Sequence, residues 1–426
     1  MKPSRYNHFY KVNENFSIAY NAFSNALAYI ENYKLNHYYD YIDKKITIKD
    51  EQFLLDLQKG FFLIDDDLNE LDLVRFNMYR SRFGSSTLNL TIAPTLDCNF
   101  RCIYCFQKKV HKNEYMTKKV QSSIIHFVKS KIKQIKELNI IWYGGEPLLA
   151  LSVIKPLSQK LIKLCKDNNV VYSSSMITNG YLLTRDILKI INDLKIEFLQ
   201  ITIDGNPNEH NRKRPLKNGG HTFETILENL YNGYDLLPSV SLRINIDKNN
   251  IEEGKLVKEY LVKYNLLKKV KPYLGCIRND NNCYSENECL SEEEFAKLEL
   301  EFSINVDPQK IVKYPTSKFS YCCADNICSL VIAPDGTLYK CWSEIGINSK
   351  NVGNITLLDN NINTVLLEYV MFDPTKISPC KDCDILPICM GGCSFQRFSG
   401  NSVQCSRYKF VLERCLKNAI MISKQI

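Results

Sequence analysis

The 426-residue sequence has no long hydrophobic run: its apolar stretches reach about half a dozen residues, against the ~18 needed to cross a bilayer. A membrane-spanning chain is therefore excluded. An apolar signal core is missing too, because the basic stretch from Met1 to Tyr10 runs straight into Lys11, Asn13, Glu14 and Asn15. No secretory signal is expected, and the cytoplasm is the expected location. Glycine (17) and proline (14) make up about 7% of the chain, far below the share at which collagen-like or low-complexity sequences begin. Repeats and biased tracts are absent, and 45% hydrophobic content excludes a disordered chain. The net charge of +8 is spread along the sequence and reads as a solvated face. No stacking-aromatic or RNA-binding module accompanies it, so no nucleic-acid partner is expected.

What is abundant is cysteine, with 17 residues. In a reducing compartment a long chain uses so many thiols for metal or chemistry rather than for disulfides. At about 150 residues per domain the length fits two or three domains. Between Leu88 and Tyr273 short β-rich runs alternate with helical patterns. The strand candidates are Leu88 to Ile92, Leu138 to Tyr143, Val170 to Thr178, Phe198 to Ile203, Val240 to Ile246 and Val270 to Tyr273. Helical spacing fills the gaps, as at Val120, Ile124, Val128, Ile132 and Ile135, and from a Thr cap at Thr184 to Lys195. The expected fold class is α/β: a partial barrel of six β/α units over 88–290. A small N-terminal α+β module (1–87) precedes it and a loop-rich, cysteine-bearing domain (310–426) follows. In such barrels chemistry sits on the loops after the C-terminal strand ends.

The first barrel strand leads into Cys98-Asn-Phe-Arg-Cys102-Ile-Tyr-Cys105. Three thiolates on one short loop can hold three irons of a 4Fe–4S cubane and leave the fourth iron open for chemistry. Zinc is the alternative, but it wants four ligands and no fourth candidate lies nearby.

This Cx3Cx2C motif, with aromatic Tyr104 before the third cysteine, resembles the signature of the radical S-adenosylmethionine (SAM) superfamily. The resemblance implies that the open iron chelates SAM and that an electron from the cluster cleaves the sulfonium bond, giving a 5′-deoxyadenosyl radical. Cys98, Cys102 and Cys105 would then be catalytic as well as metal-ligating. Further residues match the family one by one. Gly144-Gly145-Glu146-Pro147 follows the second strand, where two glycines allow close backbone approach and the carboxylate can face the SAM ammonium. Asn179 ends the third strand and Thr202 the fourth, where a hydroxyl contacts the SAM ribose in similar enzymes. Arg214 and Arg243 are candidates for the SAM carboxylate.

Near the C-terminus Cys380-x2-Cys383-x5-Cys389-x3-Cys393 is followed by Cys405, and upstream stands Gly336-x4-Cys341. This resembles the SPASM extension of peptide-modifying radical SAM enzymes, which implies two auxiliary clusters and three 4Fe–4S clusters in all. By that analogy Cys380, Cys383, Cys389 and Cys405 hold the distal one, and Cys323, Cys341 and Cys393 the nearer one. Cys322 fits the first position of the nearer set as well as Cys323 does, and its fourth ligand is Cys328, Cys322 or a substrate thiolate. Cys276, Cys283 and Cys289 sit in an Asn-rich insertion and match no cluster spacing, while Cys165 and Cys415 read as packed hydrophobes.

The resemblance implies a peptide maturase: an oxidoreductase that abstracts hydrogen from a precursor-peptide carbon and joins it to a cysteine sulfur as a thioether. Carbon–carbon crosslinking, sulfatase formylglycine maturation and a non-catalytic iron–sulfur carrier or peptide-binding module are the alternatives. In sulfatase maturases an Asp base follows the Gx4C cysteine, whereas here Trp342 does. The implied partners are a precursor peptide with a leader and an electron donor such as a ferredoxin or flavodoxin. The N-terminal module is a candidate winged-helix-like leader site.

Overall fold

The computed structural model describes residues 1–84, 86–306, 314–357, 362–400 and 404–423. The expected start of the third domain, at 310, lies outside the described residues. Six strands, Thr87–Ile92, Glu137–Trp142, Val171–Ile177, Ile196–Thr202, Ser239–Ile246 and Val270–Cys276, pair in sequence order, each parallel to the next. Helices Lys118–Lys131, Leu151–Asp167, Arg185–Asp193, Phe223–Asn232 and Ile251–Lys263 make the crossovers. The local causes are ordinary. Thr117 and Thr184 accept from the backbone N–H of Val120 and Ile187 and so cap their helices. In Glu137–Trp142 the alternate residues Leu138, Ile140 and Trp142 are fully buried, as a half-covered strand requires.

The sheet does not stop at the sixth strand. Ser329–Ile332 pairs parallel to Thr87–Ile92, and the short strands Thr337–Tyr339 and Gly353–Asn354 follow antiparallel, giving nine strands in one sheet. The extension is thus grafted directly onto the first barrel strand. The main core also crosses the expected limit at 290, taking in Phe295, Phe302, Ile332 and Ile355. Helix Glu292–Val306 packs on the last barrel strand and on the C-terminal helix Tyr408–Ser423. The extension also holds the short helices Thr364–Met371 and Ser394–Gly400, joined by turns and loops.

The N-terminal module is a three-stranded antiparallel sheet (Asn7–Lys11, Phe16–Asn21, Leu27–Glu31) followed by helices Asn32–Ile42, Glu51–Lys59 and Glu70–Phe83. It packs on the second cysteine field. Tyr6, Ile18, Tyr20, Val74 and Met78 share a core with Ile385, Ile388, Met390, Leu412 and Leu416, and the Tyr20 hydroxyl donates to Pro315 O at 2.7 Å. Among the described residues, no helix is long and apolar enough to cross a membrane.

Candidate functional site

All six parallel strands present their C-terminal ends on one side, and the loops there converge. The loop after Thr87–Ile92 is pinned before it reaches any partner molecule. Arg101 N donates to Pro215 O at 2.9 Å, Ile103 N to Lys213 O at 3.0 Å, and Lys217 N to Asn99 O at 2.7 Å. Cys98, Cys102 and Cys105 are half-buried free thiols on this loop, and the charges of Cys102 and Cys105 act on Cys98. Burial pushes all three thiols up, Cys105 to about 11, while Arg214 pulls Cys102 the other way. Desolvated thiols held together in this way become thiolates only beside a strong local positive charge. The residues therefore fit an iron–sulfur cluster, whose irons supply that charge. His111 Nε2 lies 3.7 Å from Cys105 Sγ. Among the described residues no three His, Cys, Asp or Glu side chains form a single-ion site.

The Gly-Gly-Glu-Pro turn lies on this loop, and its glycines answer to the protein's own backbone. A Cβ on Gly144 (φ +122°) would lie 2.3 Å from Thr95 O, and one on Gly145 would lie 2.1 Å from Asp97 O. Glu146 is fully buried. It accepts from Thr178 Oγ1 at 2.7 Å, Asn179 N at 2.8 Å and Leu148 N at 3.0 Å. Its carboxylate thus organises the end of the third strand, and Pro147 opens the short 3-10 turn that Glu146 caps. The Asn179 amide reaches back to Asn99 Oδ1 at 2.8 Å, closing the ring between the two loops.

Around Tyr104 lies a second network. Its hydroxyl donates to Asp204 and accepts from Arg214 at 2.8 Å and Asn245 Nδ2 at 3.0 Å. That oxygen is saturated, so Tyr104 offers a ligand only its ring. Burial works against the Arg214 charge, but Cys102, Tyr104 and Asp204 hold it well above its ordinary value. Thr202 stands in register with Arg243, whose Nε donates to Asn245 Oδ1 at 2.6 Å and lies over Gly275. Asn245, Asp247 and Asn250, absent from the sequence-based candidates, complete this wall. Asp247 takes the buried Lys213 ammonium at 2.7 Å, and Asn250 donates to Asp204 O at 2.9 Å. Polar residues at a strand's exit were the available signal.

In the extension the charges of Cys389, Cys383 and Cys405 all fall on Cys380. The charges of Cys322 and Cys393 fall on Cys341, whereas Cys323 is exposed and faces Lys340; Cys328 also faces Lys340. Gly336 (φ +88°) forms the turn between strands Ser329–Ile332 and Thr337–Tyr339, which accounts for a glycine at that spacing. Trp342 is 38% exposed and stacks on Tyr143, 5.5 Å between centroids. Burial, and then the charges of Cys105 and Cys341, keep Tyr143 well above its ordinary value. One tyrosine is thus flanked by the first cysteine loop and by the extension. The insertion after the sixth strand closes over this mouth. Cys283 is buried with its Sγ 3.3 Å from Tyr104 O, Cys289 is buried and Cys276 half-buried. Cys165 and Cys415 are buried in helices. Beside the insertion opens a cleft of about 600 Å³ lined by Arg278, Asp280, Glu286, Glu292, Gln396 and Gln404.

Residues 92–260 match the family model of the Radical SAM superfamily. The chain is 24% identical over 336 residues to a serine-type anaerobic sulfatase-maturating enzyme of Klebsiella aerogenes, covering 73% of this chain and 80% of that one. Among solved structures it resembles native anSMEcpe with bound AdoMet (TM-score 0.59, 20% identity, 79% of this chain and 100% of that one). It also resembles Streptococcus suis SuiB bound to the precursor peptide SuiA (TM-score 0.56, 14% identity, 95% and 98%). At these identities the structural likeness is one of fold.

Proposed function

Because the chain carries a radical SAM domain over residues 92–260, we propose that it is a peptide maturase that makes a thioether between a precursor-peptide carbon and a cysteine sulfur. The observation that carries this reading is the stack of Trp342, the residue after Cys341, on Tyr143 at the end of the second barrel strand, 5.5 Å between ring centroids, which brings the extension against the barrel mouth. A substrate bound at this mouth would meet the barrel on one side and the extension on the other. Bound 4Fe–4S clusters and SAM supply the chemistry: an electron for sulfonium cleavage, a 5′-deoxyadenosyl radical that takes hydrogen, and a place for the electron freed as the carbon–sulfur bond closes and the thiol loses its proton. Cys98, Cys102 and Cys105 would hold the SAM-binding cluster. Cys380, Cys383, Cys389 and Cys405 would hold the distal auxiliary one, and Cys341, Cys393 and a residue of the Cys322–Cys328 turn the nearer one.

The protein's own residues bind, orient and exclude water. The Glu146–Thr178–Asn179 bonds and the Tyr104–Asp204–Arg214 network fix the loops that surround SAM, and Thr202, Arg214 and Arg243 line its path. The cleft beside the insertion, rich in carboxamides and carboxylates, suits an extended peptide entering the mouth. An antiparallel sheet with two outer strands, Asn7–Lys11 and Leu27–Glu31, suits a leader added as a further strand. The SuiB structure with its precursor peptide supports a peptide substrate. The sulfatase-maturating relative favours a second reading, but Trp342 follows Cys341 and its indole N–H cannot accept a proton.

The test is anaerobic reconstitution with iron and sulfide, reduction, and addition of SAM, beside a variant with Cys98, Cys102 and Cys105 changed to Ala. 5′-Deoxyadenosine that disappears in the triple variant is expected. With cysteine-bearing precursor peptides, loss of two hydrogens together with loss of one titratable thiol is expected. The same mass change with the thiol intact would mean a carbon–carbon crosslink instead.

A further inference from the structure

Lys340 stands between strand Thr337–Tyr339 and Cys341 and is 2% exposed. A lysine buried to that degree needs an anion, because burying an unpaired charge is costly. Its ammonium donates to two backbone carbonyls, Asn326 O at 2.6 Å and Ser329 O at 2.5 Å. Both are neutral. The carboxylate close to it, Asp325, is shared with other cations: its Oδ1 accepts from Ser394 Oγ at 2.5 Å and Arg397 at 3.0 Å, and Arg82 stands 3.9 Å from its Oδ2. Arg82 and Arg397 are themselves buried, so three buried cations stand around Asp325, with the buried Asp373 acting on Arg82 as well. Glu344, the other buried carboxyl near Cys341, faces Tyr369, Lys350 and Glu368. Its two carbonyl partners, Asn326 and Ser329, stand on either side of Cys328 in the chain, and besides Asp325 the charges that act on it are those of Cys323 first and then Cys322 and Cys328.

We propose that Lys340 is the built-in countercharge of the nearer auxiliary cluster and sets its reduction potential. This rests on reading the Cys322/Cys341/Cys393 group as a cluster site. Thiolates bound to iron would add the negative charge that Asp325, shared with Arg82 and Arg397, does not supply alone. A buried cation stabilises the reduced, more negative cluster more than the oxidised one, and so raises the potential at which it accepts an electron. Lys340 touches no substrate and is a positioning residue for charge. Its consequence is direction: the cluster beside the mouth becomes the better electron acceptor.

The experiment uses the full-length, iron-loaded protein in an anaerobic redox titration followed by electron paramagnetic resonance. Lys340→Met keeps the length and removes the charge, and Lys340→Arg keeps the charge. In Lys340→Met one transition is expected to move to more negative potential by at least a tenfold change in its reduction equilibrium, about 59 mV for one electron. The other transitions stay in place, and Lys340→Arg restores the first. An unmoved set of potentials in fully loaded Lys340→Met overturns the proposal. Should Lys340→Met fail to load that cluster, Lys340→Arg decides: restored loading supports a countercharge, and failure in both variants makes the role one of shape and overturns it. A Cys341→Ala variant that keeps all its iron would instead overturn the cluster reading beneath it.

Discussion

Tyr104 donates its hydroxyl hydrogen to Asp204, joining the residue before the third cysteine of the first loop to the turn that ends the fourth strand. The second oxygen of Asp204 accepts Asn245 N at 3.0 Å, so the carboxylate binds two barrel loops at once. Asp204 is fully buried and Tyr104 half-buried, and Tyr104→Phe leaves Asp204, Arg214 and Asn245 each one bond short without changing the ring. The expected outcome is a loss of about 1–3 kcal/mol in denaturant unfolding with iron content preserved, because unmade buried bonds are what the variant creates. Iron lost at unchanged stability would assign the hydroxyl to the cluster instead.

Gly145 separates two kinds of glycine requirement. A Cβ there meets Asp97 O at 2.1 Å and Leu96 O at 2.8 Å, both backbone atoms of the cysteine loop that cannot swing aside. Gly145→Ala is expected to push that loop away and lower the iron held by Cys98, Cys102 and Cys105. Gly219 has φ +85° and nothing within 4 Å of its Cβ position. Gly219→Ala therefore costs only the left-handed backbone, about 1–2 kcal/mol, with iron unchanged. Iron analysis and thermal unfolding of the two variants side by side test this.

These relationships differ in how far the sequence reveals them. The six parallel strands are legible because each carries its own pattern, as Leu138, Ile140 and Trp142 do. The cysteine triplet is legible because its ligands sit on one loop. Strand Ser329–Ile332 is not: it is four residues long, and its partner Thr87–Ile92 lies far back in the chain. The seat of the N-terminal module is hidden for a related reason. Tyr6, Ile18 and Tyr20 lie in the stretch 1–87 that reads as a separate module, and only tertiary pairing brings Ile388 and Leu412 against them. Lys340 is hidden because a lysine in a turn-rich stretch reads as solvent-exposed.

At the proposed nearer auxiliary site two adjacent cysteines of similar spacing have different surroundings. Cys322 acts on Cys341 together with Cys393, and its Sγ lies 3.8 Å from Ser394 Oγ, whereas Cys323 is exposed. Cys322→Ala is expected to lose about a third of the reconstituted iron, one cluster of three. Cys323→Ala should keep it. Iron and sulfide assays on the two variants give the comparison, and the reverse result would put Cys323 in the ligand set.

His210 makes a pH prediction. It is fully buried between Asp204 N, 3.2 Å from its Nδ1, and Thr222 Oγ1, 3.1 Å from its Nε2. Burial first, and then Arg214, hold its pKa well below 6.5. Above about pH 6.5 neither the folded nor the unfolded chain protonates it, and it contributes no slope. Below that the unfolded chain takes a proton that the folded one refuses, so stability falls with pH by up to about 1.4 kcal/mol per unit from this residue. His210→Gln should lack that part of the slope. Unfolding free energies of both proteins between about pH 7 and 5 measure it as a difference, with the contributions of all other groups cancelling.

Trp342 offers a direct view of the mouth. The chain has two tryptophans; Trp142 is fully buried in the sheet and Trp342 is 38% exposed above Tyr143. Acrylamide should therefore quench the emission of the iron-free protein in two parts, and Trp342→Phe should remove the accessible one. A peptide that enters between the barrel and Cys341 must cover this indole, while a peptide bound only at the N-terminal sheet need not. A full precursor is thus expected to shield Trp342 from acrylamide, and its leader segment alone is not. Shielding by the leader alone would place the leader, rather than the modified segment, at the mouth between the barrel and the extension.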